Sequence, residues 1–134
     1  MITPFGPQLI GETEKTLNAI LRRFLHGKGL TEPQWVTLRL ADLLDGSVGA
    51  DGLADAVADR AHFSEAADLV GELTDRGLLD HGQLTSAGRE LTSAVQAAIT
   101  TQTASIWDDF PSDDVAAATR VLNEVVTRAR SLLG

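Results

Sequence analysis

Apolar residues recur at spacings of three and four along most of the chain, the signature of helices burying one face. Leu17, Ile20, Leu21, Phe24 and Leu25 form one stripe and predict a first helix over about 11–26. Gly27 and Gly29, on either side of Lys28, end it. Thr31-Glu32-Pro33-Gln34 starts a second helix: Thr31 can cap, Gln34 can reach back, and a first-turn proline loses no hydrogen bond. Its buried face is Trp35, Leu38, Ala41 and either Leu43 or Leu44.

Asp45 to Gly49 is a break, after which Asp51 can cap a short helix through Ala58 with Leu53, Ala54 and Val57 inward. Ser64 is the expected cap of a fourth helix whose core positions are Leu69, Val70 and Leu73. Gly77 suits a left-handed C′ turn. The next seven residues allow only a very short hairpin with His81-Gly82 at its tip. Thr85 or Ser86 opens a long helix reaching about Trp107. Asp108 to Pro111 interrupts, and Ser112 is the expected cap of a last helix that buries Val115, Leu122, Val125, Val126, Ala129 and Leu132.

The 134 residues suit a single domain, 43% hydrophobic and 22% charged, rich in the helix formers Ala and Leu. With no cysteine, disulfides, cysteine-ligated zinc and thiol redox chemistry are excluded. No run approaches the roughly 20 apolar residues of a membrane span, and the first residues lack the basic and apolar regions of a signal peptide. A cytoplasmic protein without membrane partners is expected. His26, His62 and His81 are not at metal-ligand spacing, and no nucleophile sits in a motif with a histidine. No metal, cofactor or catalytic residue is expected.

Several fragments, in this order, resemble the MarR family of bacterial winged-helix regulators. They are Leu30-Thr31-Glu32-Pro33-Gln34-Trp35, the run from Leu53 to Val57, the run from Leu69 to Leu78, and Leu84-Thr85-Ser86-Ala87-Gly88-Arg89. The resemblance implies a mainly α winged helix-turn-helix fold with a short β-hairpin. It implies a winged-helix lobe over about 30–85 and dimerisation helices over about 8–28 and 86–134. It also implies a homodimer, double-stranded DNA as partner, and a small aromatic or anionic ligand that modulates it. On this basis Arg60, His62, Ser64, Arg76 and His81 are the DNA-binding candidates. Phe24, His26, Trp35, Arg39 and Phe63 lie where the family's ligand cleft would be walled, although core packing also explains them.

Charge bears on that expectation. The net charge is −8, and residues 49–85 carry Arg60 and Arg76 against eight acids. Where the family presents Ser, Thr and cations to DNA, this chain has Ser64-Glu65-Ala66-Ala67-Asp68, and the wing is cut to Asp80-His81-Gly82-Gln83. Phosphate contacts supply most of the non-specific affinity for DNA, and they need cations. The alternative reading is a divergent MarR-fold protein that has lost DNA binding and acts as a ligand-binding or protein-interaction module.

Overall fold

The computed structural model describes residues 2–61 and 64–134. Among them are six α-helices and one two-stranded antiparallel sheet, so the protein is mainly helical. The chain divides into two compact units, residues 1–100 and 101–134.

The first unit begins with α1 (Pro7–His26), α2 (Glu32–Leu44), α3 (Ala50–Ala61) and α4 (Ala66–Asp75). A hairpin of β1 (Leu79–Asp80) and β2 (Gln83–Leu84) follows, then α5 (Ser86–Trp107), which runs on into the second unit. The core gathers one side of each element: Leu25 from α1, Trp35, Leu38 and Ala41 from α2, Leu53 and Val57 from α3, Leu69, Val70 and Leu73 from α4, Leu79 and Leu84 from the hairpin, and Val95 from α5.

Local rules explain most element ends. Thr31 and Gln34 form the expected capping box: Thr31 Oγ1 accepts from the Gln34 amide at 3.2 Å, and Gln34 Oε1 accepts from the Thr31 amide at 3.0 Å. At the end of α4, Leu78 N–H bonds Leu73 C=O and Gly77 N–H bonds Thr74 C=O, both at 3.0 Å, which is the Schellman closure. Gly77 has φ +75, where a side chain would be strained. In the hairpin Leu79 pairs with Leu84 and Asp80 with Gln83, and His81 and Gly82 both have positive φ (52 and 80), as a two-residue type I′ turn requires. Thr85 settles the choice of cap for α5, since its Oγ1 accepts from the Gly88 amide at 3.0 Å.

Several expectations are corrected. The first helix starts at Pro7, not near Gly11, because a proline at the first helical position is pre-set for helix and Gly11 is simply carried in the interior. The third runs from Ala50 to Ala61, so Asp51 lies inside its first turn rather than capping it. Glu65, not Ser64, holds the cap position of α4, with no side-chain cap bond. Ser112 is the first residue within α6 (Ser112–Leu133), and Pro111 precedes it, again without a cap bond. Leu44 is half-buried whereas Leu43 is 69% exposed, so α2 turns Leu44 inward.

The second unit holds the end of α5, a turn with Asp109 in left-handed conformation (φ 76), and α6. The expected burial of α6 does not occur in the single chain: Val115, Leu122, Val125, Val126, Ala129 and Leu132 are all exposed. The helical spacing is present, but no other element of this unit covers that face.

One hydroxyl is out of balance. Thr92 on α5 is 3% exposed, and its Oγ1 has no hydrogen-bond partner among the described residues. A buried unsatisfied hydroxyl costs about 1–3 kcal/mol, so Thr92→Val, nearly isosteric, is expected to stabilise the fold by about 1 kcal/mol. Urea unfolding followed by circular dichroism measures this, and a lowered midpoint would mean that the hydroxyl is satisfied after all.

Candidate nucleic-acid interface

Helix α4 is amphipathic, and its two faces have separate tasks. Ala66, Leu69, Val70 and Leu73 are buried, while Ala67, Asp68, Gly71, Glu72, Thr74 and Asp75 are exposed. Its outward surface therefore carries three carboxylates, with Glu65 exposed just before it. Within α4 itself there is no cation.

Arg76, at the C-cap of α4, reaches the loop before α2. One guanidinium nitrogen donates to the Gly29 carbonyl at 3.1 Å and lies 3.5 Å from Gln34 Oε1. Gln34 donates in turn to Glu72 at 3.2 Å. Arg76 thus braces the end of α4 against the loop before α2. Ser64 is exposed, and lines an open groove of about 570 Å³ with Glu65, Leu69 and Glu72 of the α4 region and Thr31, Pro33 and Gln34 of α2. Arg60 is exposed in the last turn of α3. His62 and Phe63 lie outside the described residues.

The hairpin packs on the start of α3. Gly82 is buried: a Cβ there would stand 2.7 Å from the Gly49 carbonyl and 2.8 Å from the Ala50 nitrogen. The tip is held on the start of α3, and only a residue without a side chain fits. His81 stays exposed, its Nδ1 2.8 Å from the Asp80 carboxylate. That contact is between two solvated groups and adds little to stability.

Of the ligand-cleft candidates, Trp35 is 5% exposed and belongs to the core. The exposed Arg39 lies over its ring, 6.0 Å from the centroid, and also meets Asp42 at 3.4 Å. Phe24 is half-buried and His26 exposed at the end of α1. Among the described residues no cluster of His, Asp and Glu is arranged to hold a metal ion, and no helix is long and apolar enough to cross a membrane.

No family model, curated protein or solved structure matches this chain.

Sequence reasoning missed two features of this region. The pinning of Arg76 depends on Gly29, 47 positions away, and has no local signal. The burial of Gly82 against Gly49 is likewise tertiary. A Gly at the second turn position is explained by φ alone, which hid its second role.

Proposed function

We propose that the chain is a MarR-like, homodimeric, DNA-binding transcriptional regulator of the cytoplasm, modulated by a small molecule. In this reading α2 to α4 and the hairpin make up a winged helix-turn-helix lobe, and α1, α5 and α6 carry dimerisation. The observation that carries it is the junction from Leu73 to Gly88, where a glycine-closed α4 passes directly into a type I′ hairpin and then into a Thr85-capped α5. The uncovered apolar face of α6 supports a second copy as partner, since contiguous exposed apolar surface marks interaction sites.

A second reading is favoured by the carboxylates on the outward face of α4 and by the internal use of Arg76. It is a divergent member of that fold that no longer binds DNA and serves as a ligand-binding or protein-interaction module. Like charges facing phosphate can cost several kcal/mol.

The two readings part on one measurement: binding to DNA upstream of the protein's own gene and its neighbours at low salt, with the oligomeric state recorded by sedimentation. A specific complex of a dimer supports the first reading, and a dimer without any DNA complex leaves the second. The dimer has its own check. Leu122→Glu with Val125→Glu, both exposed in the single chain, is expected to leave a folded monomer. A dimer that persists would remove α6 from the interface.

A further inference from the structure

The cations that α4 and the hairpin lack are found at another corner of the first unit. Between Glu14 and Glu32 the sequence has no acid, and it carries Lys15, Arg22, Arg23 and Lys28 together with His26. All five side chains are exposed. At roughly 100° per residue, Lys15, Arg22 and His26 fall in line along one face of α1, with Arg23 beside them. Lys28 follows in the loop that ends α1, next to Gly29. Arg76 arrives at the same loop from α4 and is held there by its bond to the Gly29 carbonyl at 3.1 Å. The fold thus brings a distant arginine to a cluster that is already basic.

The ordinary explanation for such residues is that they complement the negative end of a helix dipole. That accounts for Arg23 and His26 in the last turn of α1 and for Arg76 at the C-cap of α4, but not for Lys15, about three turns before His26. The carboxylates of Glu32 and Glu72 bond neutral amides rather than these cations. Glu32 accepts from the Asn18 amide at 2.9 Å, and Glu72 accepts from the Gln34 amide at 3.2 Å. Among the described residues, Arg22, Arg23 and Lys28 form no ion pair. Their charge remains directed to solvent, whereas the outward face of α4 holds Asp68, Glu72 and Asp75.

We infer that this basic corner, formed by the end of α1, the loop at Lys28 and Arg76, is where the chain contacts the phosphate backbone of double-stranded DNA. The inference rests on the DNA-binding reading above and relocates its electrostatic part. Affinity comes from sequence-independent phosphate contacts at the corner, while the acidic face of α4 stands off the backbone. Each phosphate contact steepens the fall of log K with log salt by about 0.9.

The test compares three full-length proteins on one mixed-sequence duplex over a salt series. They are the unaltered chain, the triple variant Arg22→Gln, Arg23→Gln, Lys28→Gln, and the reader-face variant Arg60→Gln, Ser64→Ala. All five substituted side chains are exposed, and circular dichroism checks that each variant folds. The expected result is a loss of at least about tenfold in affinity for the triple variant, with a salt slope flatter by roughly 2–3. The reader-face variant is expected to keep its non-specific affinity within about threefold and to lose at most the slope of the one cation at Arg60, about 0.9. If the triple variant binds as the unaltered chain does while the reader-face variant weakens, the corner is overturned and the DNA-binding reading stands. If the unaltered chain binds no duplex even at low salt, both fall together.

Discussion

Replacing Gly88 by alanine is expected to destabilise the fold by about 2–3 kcal/mol, although the change is from a poor helix former to the best one. Helix propensity alone favours alanine by about 1 kcal/mol. Steric conflict opposes it. A Cβ on Gly88 would collide with the Leu78 carbonyl oxygen, a backbone atom that no rotamer change can move. That carbonyl also accepts the Thr85 amide at 3.1 Å, while Thr85 Oγ1 donates to Gly77 C=O at 2.6 Å. Making room for a methyl group means lifting the first turn of α5 and lengthening both bonds. Domains of this size are stable by about 5–15 kcal/mol, so such a loss is a large share of the total. The check is the midpoint of urea unfolding. An unchanged or raised midpoint would mean that the start of α5 does not lie against the Leu78 backbone.

The second large effect is expected at Leu73. It is 0% exposed, on the inward face of the last turn of α4. Leu73→Ala removes buried methyl groups and leaves a cavity, at about 3 kcal/mol within the usual 2–5. Leu43→Ala is the control: with the side chain 69% exposed, its effect is expected to stay within about 0.5 kcal/mol. Unfolding curves of the two variants under identical conditions give the contrast. Similar losses at the two positions would contradict the burial assigned to them.

Features that depend on neighbours a few residues apart are legible in the sequence itself. The Thr31–Gln34 box, the glycine turn after α4 and the His81-Gly82 tip each satisfy backbone groups within about four residues, so residue type and spacing suffice to place them. Helix starts are less legible. Ser64 and Ser112 are suitable caps, but the neighbouring residue takes the position in each case. Serine, acid and proline are all tolerated at the start of a helix, and the pattern cannot separate adjacent positions. Contacts between distant segments leave no such trace. Gly88 belongs to a recognisable run in the sequence, but its physical reason, an approach to Leu78 too close for a side chain, exists only in three dimensions. The same holds for the candidate interface. Arg76 stands out by its charge, yet its place is decided by a carbonyl in the loop before α2. The burial expected of α6 fails for another reason: periodicity reports that a face wants a cover, not whether the same chain supplies it.

The brace made by Arg76 also has a mechanical meaning. It ties the C-terminal end of α4 to the loop that closes α1, through Gly29 directly and through Gln34 and Glu72 indirectly. The end of α1 and the end of α4 are thus joined twice, once through the buried core that holds Leu25 and Leu73 and once along the surface through Gly29, Arg76, Gln34 and Glu72.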